Sequence, residues 1–147
     1  EISVTATDNN RSALKVAQLN AKKNGVASKI QFVHHDILND EVENCFDIIV
    51  SNPPYVPLEE YIALQDNVRC FEPREALTDD ADGLTFYRSF AAKGKNWLRE
   101  GGTMILEMGC GKHPLHAKEL FESAGWTKVE LFTDYNGDLR VLKVKRS

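Results

Sequence analysis

Phe46-Asp47-Ile48-Ile49-Val50-Ser51-Asn52-Pro53-Pro54-Tyr55 is the stretch that decides the fold. Its first half, Phe46 to Val50, is a short apolar run, the pattern of a strand buried on both faces of a parallel sheet. The run stops abruptly at Ser51-Asn52-Pro53-Pro54. A proline has no N–H to continue a ladder, and it steers the residue before it out of helical geometry. The stretch therefore reads as a buried strand that ends in a rigid corner.

On the upstream side, Ile2, Val4 and Ala6 alternate with polar residues, a strand pattern that ends at Asp8-Asn9-Asn10. Asn10 is placed to cap a helix from Arg11 to about Asn24, with Leu14, Ala17 and Ala21 on one face and Gly25 as its stop. A second strand, Ile30 to His34, runs out at Asp36.

Downstream, Val56 to Gly83 is the least regular part, with a short helix near Glu59 to Asn67 and an acidic cluster at Asp79, Asp80 and Asp82. A helix from Leu84 to Arg99 carries Phe86, Phe90 and Trp97, and Gly101-Gly102 turns into a strand from Thr103 to Met108. Gly109 to Gly111 leads to a helix with Ala117, Leu120, Phe121 and Ala124 at helical spacing, stopped by Gly125. Two last strands, Val129 to Thr133 and Arg140 to Val144, flank a turn at Tyr135-Asn136-Gly137-Asp138. Alternating strands and helices predict a mainly parallel α/β sheet, and the final turn predicts an antiparallel hairpin. That combination is the pattern of the class I S-adenosylmethionine-dependent methyltransferase fold, a Rossmann-like sheet.

The bulk properties narrow the function classes. A chain of 147 residues with 42% hydrophobic content is the size of one domain with a real core. Its net charge of −4 gives no footprint for tracking nucleic-acid phosphates. The three cysteines, Cys45, Cys70 and Cys110, are too scattered for a disulfide framework or a paired metal site. No apolar run approaches the ~18 residues of a membrane-spanning helix. The chain opens inside a strand pattern, without methionine and without a signal peptide, so we expect sequence upstream of it.

Chemistry in an open α/β sheet gathers beyond the carboxyl ends of its strands. Asp8, Asp36 and Asn52 stand at such ends. Asp8 suits acceptance from ribose hydroxyls, although an Asp there also serves as a helix-start residue. Asp36 could lie near an adenine, and an ordinary turn Asp is the simpler reading. The Asn52-Pro53-Pro54-Tyr55 corner is more specific. It presents carbonyl acceptors without matching N–H donors, which suits an NH2 group. The Asn52 carboxamide can both donate and accept, and Tyr55 offers a flat face for a planar group. Other groups carry less. His113 and His116 share a helix face but lack the set for zinc, so they read as solvated helix-start residues. His34-His35 reads as packing or turn, and Cys110 as a bystander. Glu107, inside an apolar strand, is either a supporting group near the corner or a partnered buried acid.

These motifs resemble the HemK/PrmC family, the protein-(glutamine) methyltransferases of peptide chain release factors. The resemblance covers nearly the whole chain: Val4-Thr5-Ala6-Thr7-Asp8, the stretch from Phe46 to Pro57, Glu72-Pro73-Arg74-Glu75-Ala76-Leu77, Asp82-Gly83-Leu84 and Phe86-Tyr87-Arg88. Asn-Pro-Pro-Tyr alone is shared with DNA adenine methyltransferases, whereas the later elements are much less widely shared. The resemblance implies that Asn52, Pro53, Pro54 and Tyr55 are the catalytic corner holding a glutamine amide, with Glu72 beside the substrate. It implies S-adenosyl-L-methionine as cofactor, contacted at Asp8, Asp36 and Asn52, and no metal. It implies the Gly-Gly-Gln motif of a release factor as substrate, with no direct nucleic-acid or membrane partner, in the cytoplasm or an organelle.

The sequence departs from the family at Thr78-Asp79-Asp80, where an Asp-Gly-Gly-type stretch is usual. The family's first strand with its glycine-rich cofactor loop, and its helical N-terminal domain, have no counterpart in residues 1–147. We therefore expect a partial catalytic domain that alone binds cofactor weakly or not at all. The alternatives are a ribosomal-protein glutamine methyltransferase, a DNA adenine methyltransferase, and a non-catalytic fragment that retains the fold. Phe86-Tyr87-Arg88 argues against the first and the acidic balance against the second. The intact corner argues against the third.

Overall fold

The computed structural model describes residues 2–42, 45–65 and 72–147. They form two units, one ending at Val42 and the other beginning at Glu43.

In the first unit, β1 (Val4–Asp8) pairs in parallel with β2 (Ile30–His34), in the register Val4 with Ile30 through Asp8 with His34. Between them runs α1 (Arg11–Lys23). Asn10 caps it as expected, its Oδ1 accepting from the N–H groups of Ser12 at 2.9 Å and Ala13 at 3.3 Å. These are two of the four donors a helix start leaves without an internal partner. Leu14 and Ala21 are buried on one face, and the helix stops before Gly25.

The second unit holds β3 (Phe46–Ser51), α2 (Leu58–Ala63), α3 (Arg74–Leu77), α4 (Thr85–Trp97), β4 (Leu98–Glu107), α5 (His113–Ser123), β5 (Val129–Thr133) and β6 (Leu139–Lys145). Its sheet has the order β3-β4-β6-β5. The β3–β4 ladder is parallel, and β6 is antiparallel to both β4 and β5. A parallel ladder in each unit, with a closing antiparallel hairpin in the second, follows the predicted alternation of strands and helices.

The core of this unit follows from the helical spacings. Tyr87, Phe90, Ala91 and Trp97 of α4 and Ala117 and Phe121 of α5 are buried, as are Met104 and Leu106 of β4 and Leu142 and Val144 of β6. Each large apolar side chain so removed from water contributes about 1.5–3 kcal/mol. Trp126 is buried too, and its indole N–H donates to the Ala91 carbonyl at 2.9 Å, so the burial leaves no polar atom unpaired.

Three expectations change. First, β3 is not buried on both faces, since Ile48 and Val50 are 63% and 72% exposed. β3 is the outer strand of its sheet, and only β4 pairs with it among the described residues. Second, α4 ends at Trp97 and β4 begins at once with Leu98, five residues before the expected Thr103. Gly101 and Gly102 lie inside that strand, at a register shift between the Phe46 and Ile48 pairings. A Cβ at Gly102 would sit 2.8 Å from the Arg99 carbonyl oxygen and 3.1 Å from that of Phe46, so only glycine lets the backbones close up there. Third, the helix near Glu59 is shorter, Leu58–Ala63, and Asn67, where it was expected to end, lies outside the described residues, as does Cys70.

Candidate active site

Because β3 and β4 run parallel, with Ser51 opposite Leu106, their carboxyl ends stand side by side. The corner begins at that end. Asn52 is exposed, Pro53 is buried, and Pro54 and Tyr55 are half-buried. The prolines stiffen the bend, and tertiary contacts hold the next residues. The Val56 N–H donates to the Leu77 carbonyl at 2.9 Å, Leu58 N–H to the Ala81 carbonyl at 2.9 Å, and Val56 bridges in parallel to Thr78. Loop 77–83 thus runs beside the corner.

Gly83 makes the closest approach. Its φ is +80, and a Cβ there would lie 2.4 Å from the Tyr55 carbonyl oxygen. Both facts demand glycine. The loop is tied internally by Asp79, whose Oδ1 accepts from the N–H groups of Ala81 and Gly83 and whose Oδ2 accepts from Thr85. Burial would raise the Asp79 pKa, but these bonds outweigh it and hold the carboxyl below its ordinary value. Asp82 accepts both guanidinium nitrogens of Arg88 and is pulled down to about 2 by that partner. Asp80 pairs with Arg74, and its φ of +57 is the one left-handed non-glycine conformation among the described residues. This is where the departure from Asp-Gly-Gly falls. Asp tolerates that region better than most residues, and here Thr78 Oγ1 also accepts its N–H at 3.0 Å.

The Tyr55 side chain is held by residues that carry no motif in the sequence. Arg140, at the start of β6, donates from Nη2 to Glu107 Oε1 at 2.9 Å and to Tyr55 Oη at 3.2 Å. Tyr55 Oη donates to the same Glu107 oxygen at 3.3 Å. Glu107 is therefore a partnered acid and a support of the corner at once. Arg140 Nη1 also donates to Cys110 Sγ at 3.2 Å, so Cys110 has a partner within the site. Beneath lies Tyr87, fully buried, donating to the Glu107 carbonyl. Burial pushes its phenol well above the ordinary tyrosine range, which keeps it a neutral donor.

His113 corrects an expectation. It is not a solvated helix-start residue. Its ring stands edge-on to Tyr87 at 4.9 Å and tilted to Tyr55 at 6.1 Å. Its Nε2 donates to the Gly83 carbonyl at 2.9 Å, while the buried Nδ1 has no hydrogen-bond partner. Burial lowers its pKa, so the neutral ring is favoured. His116 is exposed, as expected.

The remaining predicted site residues are Glu72 in the second unit and Asp8 and Asp36 in the first. Glu72 is exposed, next to Pro73 at the start of α3. Asp8, in the first unit, closes β1 with Oδ1 accepting from Asn10 N–H at 2.7 Å. A carboxylate has about four lone-pair positions, so one such bond leaves capacity for ribose hydroxyls. Asp36 is more committed. Oδ1 accepts from Leu38 N–H, Oδ2 accepts from the Asn39 amide, and the latter bond leads in lowering its pKa. His34 and His35 serve packing and turn, with His34 Nε2 donating to the Asn9 carbonyl and the His35 side chain largely buried. No group of three or more metal-ligating side chains occurs among the described residues.

Known proteins are similar to this chain in sequence and in fold. The family model described as "Methyltransferase small domain" matches residues 1–67. A crystal structure of a methyltransferase from Pyrococcus furiosus superposes with a TM-score of 0.71 and 20% identity, covering 99% of this chain and 63% of that one. A Thermus thermophilus 16S rRNA N2 G1207 methyltransferase, solved with AdoMet and guanosine, matches with a TM-score of 0.64 at 20% identity, over 99% of this chain and 32% of that one. The fold is that of the class I S-adenosylmethionine-dependent methyltransferases.

In sequence the chain resembles the HemK/PrmC proteins. The release factor glutamine methyltransferase of Chlorobaculum tepidum is 40% identical over 139 residues, 90% of this chain and 46% of that protein. That of Cereibacter sphaeroides is 38% identical over 95% of this chain and 50% of its own length. The chain thus spans about half the length of these curated relatives. None of the described helices is long and apolar enough to cross a membrane.

Proposed function

We propose that the protein containing this chain transfers a methyl group from S-adenosylmethionine to the side-chain amide nitrogen of glutamine in the Gly-Gly-Gln motif of a peptide chain release factor. The observation that carries the reading is the Asn52-Pro53-Pro54-Tyr55 corner at the joined carboxyl ends of β3 and β4, with Asn52 exposed and Tyr55 clamped. The names of the relatives support the choice of substrate.

An amide nitrogen is a weak nucleophile because its lone pair is delocalised. The corner answers that by orientation. The Asn52 carboxamide and the proline-rich backbone accept the two N–H bonds of the substrate amide and aim its nitrogen, and Tyr55 flanks the planar group. Fixing a reactant in this way lowers a barrier by several kcal/mol, on the order of 7–11 in the best intramolecular cases. The bound cofactor would supply an activated sulfonium methyl group. Asp8 fits the ribose hydroxyls by its spare acceptor capacity. Asp36 is assigned to the adenine side, and Asn52 to both cofactor and substrate.

The test is methylation of a purified release factor by the full-length protein, beside a factor whose motif glutamine is changed to alanine. Label should enter only the normal factor. The Asn52→Ala variant should lose about 100-fold or more in turnover, the scale for removing a group that orients or stabilises the reacting centre, with its melting temperature held. Label on the alanine factor, or full turnover by Asn52→Ala, would overturn the proposal.

A further inference from the structure

Arg140, Glu107 and Tyr55 form a closed ring of hydrogen bonds in which each proton has one direction. Arg140 Nη2 donates to the Glu107 carboxylate and to the Tyr55 oxygen, and the Tyr55 hydroxyl donates to the same carboxylate atom. The guanidinium carbon also lies 5.5 Å from the centre of the Tyr55 ring. On another side, a Cβ at Gly109 would touch Tyr55 Cδ2 at 3.2 Å, so the missing side chain lets the ring seat there. The Tyr55 backbone is in turn hemmed by Gly83.

Stability does not account for this arrangement. The Glu107 side chain is 38% exposed and that of Arg140 is 23% exposed, so their ion pair is partly screened and adds little to stability. Two long side chains are nevertheless ordered around one phenol. The consequence lies in the tyrosine ring, which is held from β4, β6 and the start of α5 together.

We infer that Arg140 is a positioning residue, which acts through Glu107 and the Tyr55 hydroxyl to fix the Tyr55 ring as one wall of the site for the planar substrate group. The inference rests on the proposed amide-methylating role of the corner. In this role Arg140 acts through Glu107 and Tyr55 and not on the substrate directly. Its planar fork matters, because one nitrogen reaches Glu107 and Tyr55 while the other reaches Cys110. A lysine ammonium on a flexible stem does not reproduce that geometry.

The test is a double-mutant cycle in the full-length protein with Arg140→Met and Tyr55→Phe, read in release factor methylation, with ring-labelled tyrosine NMR on the same samples. Arg140→Met should lower turnover about 10-fold or more while melting changes little, a fraction of the ~100-fold that small misplacements can cause. Arg140→Lys should fall closer to Met than to the parent. In the Tyr55→Phe background, Arg140→Met should add less than about two-fold, since both changes break one path. The Tyr55 ring signals should shift and average in Arg140→Met. Full multiplication of the two effects, or unchanged Tyr55 signals, would overturn the positioning role. The NMR readout needs no substrate, and a parent protein that methylates no release factor would refute the functional reading instead.

Discussion

Three strand ends of this molecule carry polar groups assigned to the site, and those of the two units are built differently. In the first unit, the carboxylates of Asp8 and Asp36 accept from Asn10, Leu38 and Asn39, two or three positions away, although the Asp8 carbonyl also accepts from His35 N–H across the β1–β2 ladder. In the second unit, the Asn52–Tyr55 corner is held by Leu77, Ala81, Glu107 and Arg140, with Gly83 and Gly109 leaving it room. Local bonds fix a turn wherever the sequence recurs. Long-range bonds fix a position relative to a sheet, and that is what an orienting site requires.

Breaking the long-range hold should therefore cost most. Gly83→Ala places a Cβ against the Tyr55 carbonyl oxygen and forces a left-handed backbone on alanine. The expected loss is about 3 kcal/mol, the sum of typical left-handed and overpacking costs. Chemical denaturation measures it, and a loss of only a few tenths of a kcal/mol would mean that the corner and its loop can part freely.

A smaller contrast compares local ties in the two units. Asp79→Ala should cost about 2 kcal/mol, because three backbone donors lose their acceptor in a half-buried loop. Asp36→Ala, where a turn N–H and the Asn39 amide lose their acceptor, should cost about 1 kcal/mol or less. Equal losses in denaturant melts would mean that the additional backbone donors held by Asp79 add nothing to its hold.

The smallest effect comes from pH. Burial lowers the folded-state pKa of His113 below the unfolded value of about 6.5. The unfolded chain then binds the proton first as pH falls. The contribution of His113 is complete above that value and declines below it, down to the lowered folded pKa. His113→Phe should be less stable at neutral pH by about 1 kcal/mol, for the lost bond to Gly83. Its stability should also fall less than the parent's between neutral pH and pH 5. Parallel pH curves for the two proteins would assign the decline elsewhere.

The division between legible and illegible features has the same physical root. The Asn10 cap, the α1 face of Leu14 and Ala21, the β2 bounds and the β5–β6 hairpin are local, and local spacing predicted them. The corner itself was legible because two consecutive prolines after an apolar run are a local signal too. Arg140 was invisible as a site residue, since a single arginine in a strand says nothing about a glutamate 33 positions earlier. His113 was misjudged for the same reason, because its partners Tyr55, Tyr87 and Gly83 all come from other elements. A sharper signal was present in Glu107, a charged residue in an otherwise apolar strand, which demands a cationic partner somewhere. The exposure of Ile48 and Val50 could not be read from an apolar run, which records side-chain type and not what covers it.

The strand order β3-β4-β6-β5 also sets an order of assembly. During synthesis β5 emerges before β6, yet its only ladder among the described residues is to β6. It has no place in the sheet until Leu139–Lys145 have been made and have slotted in beside β4. The entropy of closing the loop between β4 and β6 is lost before that pairing stabilises anything. Arg140 arrives on that late strand. The wall of the site is consequently latched at the end of folding, and a nascent chain halted before β6 would display the Asn52 corner with its tyrosine still unlatched.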